Sequence, residues 1–374
     1  MTIDTHLILV SAQPIPNLTP VLDQQLRPKK VIMLVSPDMQ QRSQYLESIF
    51  KGQCGVEVER HTIDDPWDLE AITLQIIDIV GSYPANSIAL NATGGTKPMA
   101  LAAFDVFKEN QQIFYVHPEQ DRLIWLNPKQ PSIKLADKLK LKNYLMAYGA
   151  EAVNTENVGV SFDLQDLCNA IIKDISRYEK ALGALNYLAL EASKHPKLTV
   201  AIEDGPQARR DLWDLLELFE QQGLCTINGQ NLLFKDETSR FIANGGWLEL
   251  YTYKQCLNLK HSQAIQDIAR NISITRQSKT KNEIDIGLIK ANRLHLIECK
   301  TKRYKDNNSA DPLYKLDSLR DLMGGLQGKA MLVSFNQLDK ASRHRAKELE
   351  IAICCHTELQ NLQTHMTKWL RHER

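Results

Sequence analysis

Asn282–Lys302 reads N-E-I-D-I-G-L-I-K-A-N-R-L-H-L-I-E-C-K-T-K, and this stretch decides the fold of the C-terminal part of the chain. Its first half alternates acidic or small residues with aliphatic ones, as a half-buried strand does. Asn292 then supplies a turn, after which the alternation resumes. The pattern predicts two neighbouring strands that bring three charged side chains together: Asp285, Glu298 and Lys300.

These three side chains, with one backbone carbonyl, could form a divalent-metal site. Glu298 and Lys300 are two positions apart, so they point to the same face of their strand. Asp285, Glu298 and the carbonyl of Cys299 offer the hard oxygen ligands that Mg²⁺ and Mn²⁺ prefer. A metal ion there would lower the pKa of a bound water and neutralise charge on a scissile phosphate, while Lys300 would orient the water or stabilise the oxyanion. The alternative is a surface hairpin with a cross-strand ion pair.

The same residues resemble the motif of the PD-(D/E)XK, or restriction-endonuclease-like, nucleases. That family carries an Asp followed on the next strand by (Asp/Glu)-x-Lys, often with a Glu on the preceding helix. One departure is Ile284, which stands where the family name would put a proline. The resemblance implies that Asp285, Glu298, Lys300 and Glu249 are catalytic, and that Asp285, Glu298, Glu249 and the Cys299 carbonyl bind Mn²⁺ or Mg²⁺.

Length, charge and cysteine usage limit the possible classes. The 374 residues are enough for two or three domains. The formal net charge is zero, but residues 241–374 carry an excess of Lys and Arg, which suits a polyanionic substrate or a solvated surface. The seven Cys are scattered without a C-x-x-C pair, which indicates reduced thiols and no zinc site. With no signal peptide and no apolar run near the ~18 residues of a membrane span, we expect a cytoplasmic protein without a membrane partner.

Residues 1–150 alternate aliphatic strands with amphipathic helices. This alternation predicts a parallel sheet with helices on both faces, a Rossmann-like α/β domain. Strands are predicted at His6–Ser11, Lys30–Ser36, Val56–Ile63, Ser87–Asn91 and Ile113–His117. Helices are predicted at Val21–Leu26 after a Pro-rich loop, from Pro37 to Phe50, at Pro66–Val80 with Asp65 as N-cap, and at Lys97–Glu109.

A polar, glycine-rich loop, A-T-G-G-T-K-P, follows the fourth of these strands. It lies where open α/β sheets bind ligands, its glycines allow close backbone approach, and the next helix N-terminus favours phosphate. The spacing is neither that of a Walker A loop nor G-x-G-x-x-G, so the sequence does not predict ATP or NAD binding. A tight Gly-Gly turn with Thr96 as helix N-cap is the alternative.

This loop, together with a first strand that ends in Ser11, resembles the CARF domains of type III CRISPR systems. Those domains bind cyclic oligoadenylates across the two-fold axis of a homodimer, where each subunit presents the same loop to half of a symmetric ring. By this resemblance, we expect ligand contacts from two loops: Ser11 and Gln13 in the first, and Asn91, Thr93, Gly94, Gly95, Thr96 and Lys97 in the second.

Residues 151–240 form a middle segment. Glu151–Gly159 is polar without a period and is predicted to be a linker. Helical spacing follows at Phe162–Ser176, Tyr178–Ala192 and Ala208–Gln222, and Asn228-Gly229 then joins two short apolar strands, which is a strong hairpin signal. Helices followed by such a hairpin resemble a winged helix. The acidic third helix is a poor major-groove reader, which favours a structural spacer over a DNA-binding module.

Residues 241–374 are predicted to form the nuclease domain. The order of CARF domain, winged-helix-like segment and restriction-endonuclease-like domain is similar to that of cyclic-oligoadenylate-activated nucleases of CRISPR defence. The resemblance implies a homodimer that binds cyclic tetra-adenylate and then cleaves single-stranded DNA, supercoiled DNA or RNA with Mn²⁺ or Mg²⁺.

Two other functions remain open. The first is a ligand-regulated winged-helix transcription factor with an inert C-terminal domain, although an inert domain has no physical reason to keep buried charges. The second is a ring nuclease that degrades cyclic oligoadenylate in the N-terminal pocket, although the loop offers no obvious general base.

Overall fold

A computed structural model describes residues 3–156, 162–202, 209–275, 281–302 and 312–371. Within these ranges the chain forms a seven-stranded, a six-stranded and a three-stranded sheet. The last residues of the predicted linker at 151–159 and the predicted helix start at Ala208 lie outside the described residues. No helix within these ranges combines the length and the apolarity that a membrane crossing needs.

The seven-stranded sheet has the order β3-β2-β1-β4-β5-β6-β7 and confirms the Rossmann-like prediction. Its first five strands are parallel, and an antiparallel pair that the sequence reasoning missed extends the β5 edge. The strands are β1 (Thr5–Leu9), β2 (Lys30–Val35), β3 (Glu57–Thr62), β4 (Ile88–Asn91), β5 (Gln112–His117), β6 (Arg122–Asn127) and β7 (Ile133–Lys134). The helices are α1 (Ile15–Leu22), α2 (Gln40–Cys54), α3 (Leu69–Val80) and α4 (Lys97–Phe107).

The first helix corrects the prediction of a Pro-rich loop followed by a helix from Val21. α1 contains two of those prolines, and Pro14 is its N-cap. Pro16 lies in the first turn, where a missing N–H is harmless. Pro20 has no N–H to donate to the carbonyl of Pro16, and that carbonyl accepts a hydrogen bond from Asn91 Nδ2 at 2.9 Å instead. The side chain from β4 therefore replaces the bond that the proline removes.

The third helix begins at Leu69, so the predicted start at Pro66 is wrong. Its N-cap is Asp68, whose carboxylate accepts from the backbone N–H of Ala71. Asp65, the predicted cap, accepts from Trp67 N and so closes a turn before the helix.

The middle of the chain forms helices and the small sheet, whose order is β10-β11-β9. The predicted hairpin is confirmed, with Gly229 at a φ of +62° in its turn. The elements are α5 (Leu141–Ala147), β8 (Glu151–Glu156), α6 (Phe162–Lys173), α7 (Ile175–Ala192), β9 (Thr199–Ala201), α8 (Arg209–Gln221), β10 (Cys225–Asn228), β11 (Asn231–Phe234) and α9 (Glu237–Phe241).

The six-stranded sheet is mixed and has the order β16-β15-β14-β13-β12-β8. Strands β14 to β16 are parallel and the others pair antiparallel. The remaining elements are α10 (Trp247–Leu259), β12 (Ile265–Thr275), β13 (Lys281–Lys290), β14 (Arg293–Lys300), α11 (Pro312–Gly324), β15 (Lys329–Ser334), α12 (Lys340–Glu348), β16 (Ile351–Cys355) and α13 (Leu362–Arg371). The linker prediction for residues 151–156 is wrong, because β8 pairs with β12 at the edge of this sheet.

One buried apolar core joins the two large sheets. It combines Ile8 of β1 and Leu145 of α5 with Leu294 of β14, all at most 1 % exposed. Helix α11 adds Leu316 and Met323 to the same core. The opposite face of the six-stranded sheet packs with α10, α13 and the helices of the middle segment. The two sheets are therefore held together by apolar packing through α5 and α11.

The turn between β13 and β14 docks onto the first sheet through a polar contact. Asn292, with a φ of +54° and 3 % exposure, donates from Nδ2 to Asp121 Oδ2 at 2.9 Å. Its Oδ1 accepts from Gln266 Nε2 at 2.8 Å, and its backbone N–H donates to Gln266 Oε1 at 2.7 Å. Burial raises the pKa of Asp121 to about 7, against the opposing hydrogen bond from Asn292.

The burial of Asp121 makes stability depend on pH with a defined sign. Because the folded state holds the Asp121 proton up to about pH 7 and the unfolded chain releases it near pH 4, stability from this group is lost as pH rises between those values. We expect Asp121→Asn to gain stability relative to the wild type between pH 4.5 and 8, by roughly 1–3 kcal/mol, since one pKa unit corresponds to about 1.4 kcal/mol.

Urea unfolding at these two pH values measures the change. The matched control is Asp64→Asn, since Asp64 is exposed. Parallel pH dependences of the wild type and Asp121→Asn would contradict this account.

Candidate active site and inter-domain cavity

The β13–β14 hairpin brings the predicted catalytic residues together. Ile286 pairs with Ile297, which puts Asp285 next to Glu298 just beyond the paired part of the two strands. The backbone N–H of Cys299 donates to Asp285 Oδ2 at 2.7 Å. Lys300 Nζ lies 2.6 Å from Glu298 Oε1, and the Glu298 side chain is only 2 % exposed. The hairpin thus holds two carboxylates and an ammonium in one confined site.

Glu249 joins this site from the first turn of α10. Its pKa is raised, first by burial and then by the negative charge of Asp285. The pKa of Asp285 is raised in the same way, by burial and then by Glu298. Burial alone would lower the pKa of Lys300, but Glu298 and Asp285 together raise it above its usual value. Lys300 is therefore an ammonium donor, and the carboxylates repel one another.

The donor set has the chemistry of a divalent-cation site. Three carboxylates that destabilise one another's charge gain from a shared cation, and oxygen donors suit Mg²⁺ or Mn²⁺. In the described part of the chain, no three His, Cys, Asp or Glu side chains are already arranged around a common metal position. Glu298 forms ion pairs with the ammonium groups of Lys300 and Lys315, so a metal ion would have to share or replace these partners.

A second lysine, which the sequence reasoning missed, also contacts Glu298. Lys315 of α11 places Nζ 3.1 Å from the same Oε1 that accepts from Lys300. Its side chain is 43 % exposed. No sequence signal identifies it, because Lys315 lies on a different element and matches no part of the (Asp/Glu)-x-Lys pattern.

The two predicted ligand-binding loops meet at a cavity of about 180 Å³. Ser11, Gln13 and Thr93 line it from the carboxyl edge of the first sheet. The opposite wall comes from the nuclease part of the chain, with Asn292 from the hairpin turn and Gly324 from the end of α11. The cavity therefore lies between the predicted sensing domain and the predicted nuclease domain.

Asn91 ties the T-G-G-T-K loop to α1 from inside the fold. It is 0 % exposed, its Nδ2 also donates to Asn17 Oδ1, and its Oδ1 accepts from Thr93 Oγ1 at 2.6 Å. Asn17 in turn donates to the carbonyl of Leu9. In this structure Asn91 positions Thr93 relative to α1 and has no exposed atom for the ligand contact that we predicted.

The backbone of the T-G-G-T-K loop passes very close to the end of β1. A Cβ on Gly94 would lie 2.1 Å from the carbonyl oxygen of Leu9, and Gly95 has a φ of +75°. Thr96 caps α4 by accepting from Met99 N, and its hydroxyl donates to the carbonyl of Pro66 at 2.9 Å. Thr96 is thus the helix N-cap that the alternative interpretation requires, while Lys97 remains exposed at the helix N-terminus.

Tyr144 and Tyr148 of the α5 region are further cavity residues that sequence reasoning missed. Their rings stack with centroids 5.2 Å apart, and the Tyr148 hydroxyl donates to Gln13 Oε1 at 3.0 Å. Their spacing of four predicts a shared helix face but does not identify a cavity.

Two family models match the chain. The model of the Card1 CARF domain matches residues 5–144, and the model of the Card1-like endonuclease domain matches residues 235–373. No curated protein matches the sequence.

Solved structures resemble the chain over nearly its whole length. A protein from Vibrio cholerae, VC1899, is 30 % identical, with a TM-score of 0.89 and 98 % of each chain covered. Can2 from Sulfobacillus thermosulfidooxidans, solved with cyclic tetra-adenylate, is 28 % identical, with a TM-score of 0.83, 99 % of this chain covered and 100 % of the other. A type III CRISPR defence DNA nuclease activated by cyclic oligoadenylate shares the fold at 18 % identity and a TM-score of 0.57, over 88 % of this chain and 45 % of its own.

The two family models match in the same order as the two large sheets occur along the chain, and the match to VC1899 spans both domains. The chain therefore belongs to the Card1-like family of CARF-domain endonucleases.

Proposed function

We propose that this nuclease is activated by cyclic tetra-adenylate, acts as a homodimer, and hydrolyses DNA or RNA phosphodiesters with Mn²⁺ or Mg²⁺ in type III CRISPR antiviral defence. The observation that carries the proposal is the convergence of Asp285, Glu298, Lys300 and Glu249 at one end of the β13–β14 hairpin. The complex of Can2 with cyclic tetra-adenylate supports the choice of activator.

Each residue has a role that follows from its charge and position. Asp285, Glu298 and Glu249, with the Cys299 carbonyl, would hold the divalent ion. When bound, that ion would supply charge neutralisation and a water of lowered pKa. Lys300 would keep its proton and donate to the attacking water or to the developing oxyanion, since its pKa is raised by its carboxylate neighbours.

The activator would bind at the carboxyl edge of the first sheet. Ser11, Gln13 and Thr93 face the cavity, and the α4 N-terminus offers its positive dipole end and the Lys97 ammonium for phosphate. Backbone N–H groups at Gly94 and Gly95 would add to this, doubled by the symmetry of a homodimer. Binding must favour one arrangement of the subunits, because a ligand without differential affinity shifts no equilibrium.

The first prediction concerns the nuclease site. Glu298→Gln and Lys300→Ala should each lower cleavage by about 10²–10³-fold, since the first removes a charged metal ligand and the second removes the cation that stabilises the oxyanion. Cyclic tetra-adenylate should still bind both variants. Cleavage of plasmid, single-stranded DNA and RNA, with binding by calorimetry, measures the two effects. Glu283→Gln on the exposed part of β13 is the control, and near-normal cleavage by Glu298→Gln would show that the site is elsewhere.

The second prediction concerns the metal. Removal of divalent ions with EDTA should abolish cleavage, and Mg²⁺ or Mn²⁺ should restore it. Ca²⁺ should bind without supporting turnover, because it accepts looser and larger coordination. Full activity after EDTA treatment and dialysis would exclude this mechanism.

The third prediction concerns activation. Lys97→Ala should raise the concentration of cyclic tetra-adenylate needed for half-maximal cleavage at least tenfold, because a charge-assisted hydrogen bond is worth about 1.5–3 kcal/mol. The metal requirement should not change. Lys108→Ala, at the exposed other end of α4, is the matched control. Calorimetry should give one ring per dimer, and one ring per subunit would contradict binding across the two-fold axis.

A further inference from the structure

Helix α11 physically connects the cavity to the nuclease site. Near its N-terminal end, Lys315 Nζ lies 3.1 Å from Glu298 Oε1. At its C-terminal end, the carbonyl of Gly324 accepts from the Tyr144 hydroxyl at 3.1 Å, and Gly324 lines the cavity. Nine residues separate the two ends, which is about 14 Å along the axis.

The C-terminal end of α11 is in close contact with the loop that carries Gln13. Gly325 has a φ of +54°, and a Cβ there would lie 2.2 Å from Gln13 Oε1 and 2.5 Å from the Tyr148 hydroxyl. Because Tyr148 also donates to Gln13, the loop, α5 and the end of α11 are closely packed at one point. A movement of Gln13 would therefore have to be accommodated by the end of α11.

The helix is packed on its inner side and tied on its outer side between these two points. Leu316, Leu319 and Met323 are at most 3 % exposed and pack into the core shared by both sheets. On the outer side, Arg320 donates to the carbonyl of Leu349 at 2.6 Å and pairs with Asp317 at 2.6 Å. Packed helices move as units, so displacement at one end is transmitted to the other.

At the active site, Lys315 completes the pairing of a buried carboxylate. A carboxylate that is 2 % exposed needs strong partners, and Glu298 accepts from Lys300 and Lys315 through the same oxygen. Lys300 comes from the same strand as Glu298, whereas Lys315 comes from a helix that reaches the cavity. The orientation of Glu298 thus depends on where α11 lies.

We propose that Lys315 is a positioning residue for Glu298, and that α11 links this position to occupancy of the cavity. This inference rests on the proposed function and adds a regulatory route within it. In the active arrangement Lys315 holds Glu298 in its productive orientation. In this scheme the activator favours the arrangement in which Lys315 contacts Glu298. By reciprocity, loss of this contact weakens activator binding, although Lys315 does not line the cavity.

The test compares the full-length wild type with Lys315→Ala, Lys315→Arg and Lys340→Ala. Lys340 is an exposed lysine at the start of α12 and serves as the charge-matched control. Cleavage is measured with Mn²⁺ at saturating cyclic tetra-adenylate. Binding of the same ring is measured by calorimetry in EDTA, without nucleic acid.

We expect Lys315→Ala to lower kcat at least about tenfold with little change in KM for nucleic acid, and to weaken ring binding at least about fivefold. Lys315→Arg should recover most of both, because it keeps the charge and the reach, and Lys340→Ala should behave as the wild type.

Three results would overturn the inference while leaving the proposed function intact. An unchanged kcat in Lys315→Ala would remove the positioning role, and a rise in KM alone would make Lys315 a substrate-binding cation. A lowered kcat with unchanged ring affinity would remove the link through α11. If the wild type itself is not stimulated by the ring, the proposed function fails.

Discussion

A nearly buried carboxylate must be paired with positive charge, and Glu298 on β14 of the six-stranded sheet is such a carboxylate. β14 carries Lys300 on the same face to supply the first ammonium, and α11 lies across that face to supply Lys315. α11 in turn is fixed by the core that it shares with the first sheet. The pairing of one side chain therefore depends on how the sensing and nuclease parts of the chain pack.

The hairpin that contains this carboxylate also has a polar anchor at its far end. Asn292 ties the β13–β14 turn to Asp121, which lies in the turn between β5 and β6 of the first sheet. Asn292 is eight residues before Lys300, a separation of roughly 26 Å along an extended strand. Both ends of the hairpin are thus in contact with elements that reach the cavity, one through the turn and one through α11. A change in the cavity has two physical routes to the carboxylates.

Much of this organisation could be predicted from the sequence, since periodicity reports local burial. The strict alternation around Asp285 and Glu298 predicts the hairpin, and Asn228-Gly229 predicts the β10–β11 turn. Long-range compensation could not be predicted. A helix containing Pro20 is stable because Asn91, far along the chain, takes the carbonyl that the proline leaves without a partner. Lys315 was missed for the same reason, because its partner is set by tertiary packing and not by spacing. The polar segment at 151–156 forms a strand because β12 offers it an edge.

The position of β8 has a consequence for how this protein can be divided. This strand follows the sensing part in the sequence but completes the edge of the nuclease sheet. A recombinant fragment that starts at residue 235, where the endonuclease match begins, would leave the backbone N–H and C=O groups of β12 without their neighbour. An unpaired edge of that kind recruits other strands and promotes aggregation. The nuclease sheet is therefore completed by a strand that precedes the middle helices in the sequence, so a fragment meant to keep this edge paired has to include β8.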